Sequence, residues 1–253
     1  MNVIFNKKFL QHNKNSKAEG AYRLAKFAEK YPDTDIKLDP MPFIKEVHTQ
    51  EYINIFKYEC ENKGYMGEIS LSPESYQCAL LAAGLTILAS QNGDFAVVRP
   101  PGHHARADLA AGFCFFNNVA IATKKLVSEG KRVAILDIDG HRGDGTQDIL
   151  KDEDNVLCAS IHQKGVYAGD KPTFPIENAL NYPVLAGTKG DSYLETVKKA
   201  IEHTKDFKPD ILAVTAGFDT YKQDRLLQIE LDIDSYYKIG ALLSQEFDHV
   251  FAH

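Results

Sequence analysis

"LDIDGHRGDGTQ", residues 136–147, sets Asp137, Asp139, His141 and Asp144 among three glycines, at positions 140, 143 and 145. The "KRVAI" before it, residues 131–135, reads as a buried strand. The question for fold and function alike is why a hydrophobic strand ends in carboxylates around one imidazole. If the strand continues through residue 141, the side chains of 137, 139 and 141 share a face, because strands repeat every two residues. A carboxylate and an imidazole placed that way can grip one cation. Taken alone, the stretch reads equally well as an Asp- and Gly-rich turn capping a helix that begins near Thr146.

Working outward, similar apolar runs recur at "FAVVRP" (95–100), "RVAILDID" (132–139), "VLCASIH" (156–162) and "ILAVTAGF" (211–218), with "NVIF" and "HVFA" weaker. Helical patterns fall at 74–91, 117–129, 145–152, 191–206 and 232–247. Nearly continuous apolar strands alternating with helices predict an α/β fold whose parallel sheet is covered on both faces. Prolines at 100–101 and across 172–183 mark loops. With no repeat and no shift in composition, residues 1–253 are expected to form a single domain.

Composition narrows the function. The 253 residues are 44% hydrophobic and 25% charged, ordinary for a soluble globular protein. A net charge of −6 without a basic stripe argues against nucleic acid as a partner. The four cysteines (60, 78, 114 and 158) lack C-x-x-C spacing and are expected to be reduced thiols. The longest apolar stretch, "CALLAAGLTILA", is 12 residues, too short for a membrane span. "MNVIFNKKFL" is too polar for a signal peptide, so a cytoplasmic protein away from membranes is expected.

In open parallel sheets, sites collect beyond the carboxyl ends of strands. Here "RPPGHHA", "DIDGHRGDG", "SIHQKG" and "AGFDTYKQD" each follow a strand-like run. A catalytic zinc wants three protein ligands and an open position for water. Asp139 and His141 supply two, and Asp219 is the natural third. The adjacent His103 and His104 could serve as acid and base for amide hydrolysis, each backed by a carboxylate, with Asp137 and Asp144 left over for that role. An isolated "GHH" would more often be two exposed loop histidines.

"RPPGHHA…GFCFFNNVAIA", "ILDIDGHRGDGTQ" and "AGFD" together resemble the zinc-dependent histone deacetylase and acetylpolyamine amidohydrolase family, from about residue 45 to about 250. The resemblance implies a three-layer arginase/deacetylase-like fold, with a central, mainly parallel sheet flanked by helices. It implies hydrolysis of acetylated amines, such as acetyl-lysine in proteins or acetylpolyamines. By matched position it places Zn2+, with Fe2+ as the other candidate, on Asp139, His141 and Asp219. His103 and His104 become the acid/base pair, oriented by Asp137 and Asp144 respectively. Gly112, Phe113 and Tyr167 would line the substrate channel. A structural K+ is implied near Asp137, Ser160 and the backbone of Asp139, His141 and Ile161.

The chain departs from that pattern twice. The motif usually carries two histidines where this chain has His141-Arg142; the ligand is kept, while Arg142 changes the local packing and charge. Family members also continue into a Gly-Gly-Tyr-type segment whose tyrosine polarises the acetyl carbonyl. His253 falls too early to fill that role, so a C-terminally short domain with slow turnover is expected, since losing an oxyanion donor costs roughly two to three orders of magnitude. Two rivals stand beside the amidohydrolase reading. A dinuclear manganese ureohydrolase needs a carboxylate where Gly143 stands, which disfavours it. A catalytically weak or silent acyl-amine-binding module would keep the metal and channel without turnover. His48 and His162 are expected to be hydrogen-bonded structural residues, and the tyrosines at 236–237 to belong to the core.

Overall fold

The structure, a computed structural model, describes residues 1–13, 16–17 and 19–253. They divide into two units, Met1–Lys125 with Ala252–His253, and Leu126–Phe251. The architecture is α/β, a central and mainly parallel sheet flanked by helices in three layers.

The first unit contains β1 (Val3–Ile4), α1 (Ala25–Lys30), α2 (Met41–Lys45), α3 (Gln50–Glu61), β2 (Tyr65–Met66), β3 (Ile69–Ser70), α4 (Ser75–Asn92), β4 (Phe95–Ala96) and most of α5 (Asn118–Ser128). β1 pairs in parallel with β4, and Phe95 of β4 pairs with Ala252. Thr49 caps α3 by accepting from the Tyr52 N–H. α4 is apolar around most of its circumference and is accordingly buried on most sides. It ends at Gly93, which takes the left-handed conformation (φ 69°) that helix ends favour.

The second unit carries β5 (Val133–Asp137), α6 (Asp144–Ile149), β6 (Val156–Gln163), β7 (Ala179–Val184), α7 (Gly190–Asp206), β8 (Ile211–Thr215), α8 (Ile233–Glu246) and most of β9 (Val250–Ala252). Its strand order is β9-β8-β5-β6-β7. β8, β5, β6 and β7 pair in parallel. Every residue of β5, β6 and β8 is buried, which is why these strands read as unbroken apolar runs. Each large apolar side chain so buried contributes roughly 1.5–3 kcal/mol. α7 turns Tyr193, Leu194, Val197, Ala200, Ile201 and Thr204 inward, at helical spacing.

The helices expected from periodicity lie within a few residues of α4, α5, α6, α7 and α8. The strands needed correction. The run at 95–100 is strand only over 95–96, and that at 211–218 ends at Thr215. The run at 132–139 stops at Asp137, so strand alternation does not carry side chains 139 and 141 to one face. The proline-marked stretch 172–183 overlaps β7, with Pro183 inside the strand. β7 is last in the strand order, and an edge strand tolerates a residue that cannot donate to a further neighbour. Tyr237 is 76% exposed and is not core. The four cysteines are buried thiols. Among the described residues, no helix is long and apolar enough to cross a membrane.

Candidate functional site

Beyond Asp137 the chain leaves the sheet in a chain of local hydrogen bonds. The Asp139 N–H donates to Asp137 Oδ1 (3.1 Å), and the His141 N–H donates to Asp139 Oδ1 (2.8 Å). Such carboxylate-to-backbone turns suit Asp in loops. Here they fold residue 141 back toward 139 without any strand. From the end of β8, Asp219 arrives to accept from the Gly140 N–H at 2.8 Å.

Asp139, His141 and Asp219 consequently converge. One ligand atom from each lies within 4.8 Å of the others. His141 Nδ1 sits 3.1 Å from Asp139 Oδ1 and 2.8 Å from Asp219 Oδ2. Burial opposes a charged ring at His141, but hydrogen bonds and charge from both carboxylates outweigh it and push its pKa up to about 10. Burial first, then the charge of Asp139, raises Asp219 to about 6. Two carboxylates that draw a positive charge onto the imidazole between them form a cation-seeking pocket. One nitrogen and two carboxylate oxygens also match the donors that zinc or ferrous iron accepts, with room for open positions. The residues fit the implied metal.

The packing behind the ligands is tight. A Cβ on Gly217 would overlap the Asp139 carboxylate and lie 2.5 Å from its Cγ. Gly217, two residues before Asp219, was not singled out in the sequence. Its signal was there, as the only residue type of "AGFD" that lets a backbone come this close. Tyr236 is a second unforeseen neighbour. Its ring packs edge-on against Phe218 (5.2 Å), and its hydroxyl meets Thr220 Oγ1 at 2.8 Å.

In the first unit, His103 and His104 are buried, with ring centroids 4.0 Å apart. They are not an exposed loop pair. The loop is fastened on both sides: the Asn118 amide donates to Pro100 O (3.2 Å), and the Asn117 amide donates to Ala105 O (3.0 Å). Behind it Arg99 is buried, its Nε 2.7 and 2.9 Å from the Glu19 carboxylate oxygens, its other nitrogens on the carbonyls of Phe9, His12, Asn13 and Glu19. His48 Nε2 accepts from the Asn117 N–H (3.0 Å), the structural use expected of it. Burial, and then the charge of His103, lowers His253 to about 3. That electrostatic proximity was not foreseen.

Gly112 and Phe113 both have positive φ (55° and 68°). They are held by the β2–β3 turn, where Glu68 accepts from the Gly112 N–H (2.7 Å) and Gly67 O from the Phe113 N–H (3.0 Å). A Cβ on Gly112 would run into the His104 ring, so this loop is flush with that imidazole. Tyr167, in the second unit, is 50% exposed and stands edge-on to His141 with centroids 6.5 Å apart.

Asp137 ends β5 opposite Ser160 of β6 and Thr215 of β8. Asp137 and Ser160 are buried, as is the neighbouring Ile161. Ser160 Oγ bonds His162 Nδ1 (3.1 Å), while His162 Nε2 reaches Asp170 O (3.2 Å), again a structural histidine. Asp144 opens α6, where the positive end of the helix dipole favours a carboxylate.

The histone deacetylase domain family matches residues 22–252. A probable deacetylase of Archaeoglobus fulgidus is 33% identical over 264 residues, covering 92% of this chain and 73% of that protein. Acetylpolyamine amidohydrolase 1 of Pseudomonas aeruginosa is 38% identical over 167 residues, covering 60% of this chain and 46% of that protein. The match thus spans less than half the length of the Pseudomonas relative. Among solved structures, the HD domain of HDA15 is similar over 100% of this chain and 84% of its own, with a TM-score of 0.89 at 25% identity. Acetylpolyamine aminohydrolase from Burkholderia pseudomallei, at 24% identity and a TM-score of 0.83, covers 100% of this chain and 92% of its own, a likeness of fold. The fold is thus of the arginase/deacetylase type. The chain belongs to the histone deacetylase domain family.

Proposed function

We propose that this chain hydrolyses N-acetyl amides of the acetyl-lysine or acetylpolyamine type, acting as one cytoplasmic catalytic domain. The observation that carries the reading is the convergence of Asp139, His141 and Asp219 on one point, with an imidazole nitrogen between two carboxylates. These three residues would hold zinc, or ferrous iron in its place. When bound, such an ion supplies Lewis acidity toward a carbonyl oxygen and acidifies a water molecule.

The chain's own residues do the rest. His104 takes the proton from the attacking water onto a ring nitrogen and passes it to the leaving amine as the C–N bond breaks, while His103 supplies a neighbouring imidazole whose role is largely electrostatic. Asp144 and Asp137 are the carboxylates proposed to support His104 and His103 respectively, since an acceptor behind an imidazole fixes its tautomer and raises its basicity. Gly112, Phe113 and Tyr167 flank the acyl-amine chain of the substrate. Asp137, Ser160 and backbone oxygens of Asp139, His141 and Ile161 make an oxygen-rich set suited to a structural potassium ion. Relatives that carry deacetylase and acetylpolyamine amidohydrolase names support the substrate class.

The test pairs metal content with acetate release from an acetyl-lysine peptide and from acetylputrescine. D139A, H141A and D219A should each lose both metal and turnover. H104A should lose turnover and keep the metal, and H103A should be the milder lesion. Full metal content in all three ligand variants would overturn the ligand set.

A further inference from the structure

We propose that Arg142 is a positioning residue that ties down the loop carrying Tyr167, and through it sets the wall against which the substrate's acyl-amine chain lies. The role of the wall rests on the hydrolase reading above; the tie itself stands on geometry alone.

Arg142 is 6% exposed and aims its planar head along the loop that runs from Gly165 to Asp170. Its Nε lies 3.1 Å from the carbonyl oxygens of both Ala168 and Gly169, and its Nη2 donates to Ala168 O at 2.6 Å. The remaining arm, Nη1, donates to Gln147 Oε1 (2.8 Å), and Gln147 Nε2 passes the chain on to Asn181 Oδ1 (3.0 Å) of β7. One guanidinium thus joins α6, the loop and the sheet edge. The two carbonyls belong to the residues directly after Tyr167, and both residues are left-handed, with φ of 68°. A non-glycine residue such as Ala168 keeps that conformation only where its surroundings enforce it.

The loop has other fastenings: within it the Gly169 N–H donates to Val166 O (3.0 Å), and two more bonds sit at its ends. The Gly165 N–H donates to Asp170 Oδ1 (2.6 Å), and His162 Nε2 reaches Asp170 O (3.2 Å). Arg142 holds the part next to Tyr167. It also follows His141 in the chain, and the Tyr167 ring stands edge-on to the His141 ring at 6.5 Å. The tie therefore links the turn that bears a candidate metal ligand to the aromatic ring beside that ligand. A neutral histidine at position 142 has a single ring donor, and a lysine is a point charge. Only the fork of an arginine spans two loop carbonyls and Gln147 together.

The experiment compares wild type, R142M, R142K, Y167A and the R142M/Y167A double variant. Amide hydrogen exchange across 165–170, followed by mass spectrometry without substrate, reads the tie. Exchange there should quicken about tenfold or more in R142M, with R142K intermediate, as buried charge-assisted hydrogen bonds are lost. On acetyl-lysine peptide, R142M should raise KM more than it lowers kcat, and should add no further rise in KM once Tyr167 is gone. Wild-type exchange in R142M, or KM effects that multiply independently in the double variant, would overturn the proposal. Should R142M not fold, R142K carries the test, and wild-type exchange in R142K is then the contrary result. Because the exchange arm needs no turnover, a chain that releases no acetate would count against the hydrolase reading while the tie is still decided.

Discussion

His141 Nδ1 lies 2.8 Å from Asp219 Oδ2, although the two residues leave the sheet from different strands, β5 and β8. The register of those strands makes this possible. Asp137 is level with Thr215, and the Ile138 N–H donates to Thr215 O (3.0 Å), so both connections depart from the same height. The two loops then close on each other through the Gly140 N–H and the Asp219 carboxylate. A three-donor pocket results from parallel pairing plus two short turns.

The approach of Gly217 to Asp139 gives the first prediction. Gly217→Ala keeps every ligand but inserts a Cβ into the Asp139 carboxylate. Zinc affinity should fall about 10- to 100-fold, as when groups supporting a ligand are disturbed. Competition with a chromophoric chelator measures it, and an unchanged affinity would show that Asp139 is not held as described.

Gly112→Ala should separate chemistry from metal binding. The added methyl meets the His104 ring and also strains a residue at φ 55°. Turnover should drop by roughly tenfold or more, in line with the usual worth of acid/base catalysis, while zinc stoichiometry stays at the wild-type value. Loss of metal in this variant would contradict the placement of Gly112 against the His104 ring rather than the metal ligands.

Arg99→Met should be costly to stability. It leaves the buried Glu19 carboxylate with only the half-exposed Arg23 at 3.8 Å and His12 at 3.6 Å, and frees several carbonyls. Burial already raises the Glu19 pKa, with Arg99 opposing that rise. Removing one member of a buried pair costs about 3–5 kcal/mol. Urea unfolding monitors this directly, and a loss below about 1 kcal/mol would mean the pair is dispensable.

His48 makes the fold acid-sensitive. Burial lowers its pKa from 6.5 to about 4, only partly opposed by the carbonyls of Ala107 and Arg106. Its Nε2 accepts a hydrogen bond, so the folded form is neutral. Protons therefore bind the unfolded chain more tightly. Its contribution is intact above pH 6.5 and is lost as pH falls toward 4, by up to about 3 kcal/mol. His48→Gln, whose side-chain oxygen can still accept, should flatten the decline in urea midpoint between pH 7 and 5. Parallel declines for both proteins would remove His48 from the account.

Much of this was legible in residue types. Unbroken apolar runs announced the buried parallel strands, and helical periodicity placed α4 to α8 closely. The convergence of Asp139, His141 and Asp219 was legible too, but for a partly mistaken reason. Asp139 and His141 meet because side-chain oxygens capture backbone N–H groups in a turn, not because a strand presents alternate residues to one face. β7 hid behind Pro183, since edge position is a tertiary property. The use of Arg142 was equally hidden. Its partners are carbonyls of Ala168 and Gly169, and backbone acceptors leave no mark in a sequence.

The central claim is that Asp139, His141 and Asp219 hold the metal of an amide hydrolase. Its most direct test is the rate of acetate release from an acetyl-lysine peptide while zinc is titrated into chelator-stripped protein. The rate should rise linearly and break at one zinc per chain, and H141A should give no rise. Zinc bound at one equivalent without acetate release, or release that ignores zinc, would contradict it.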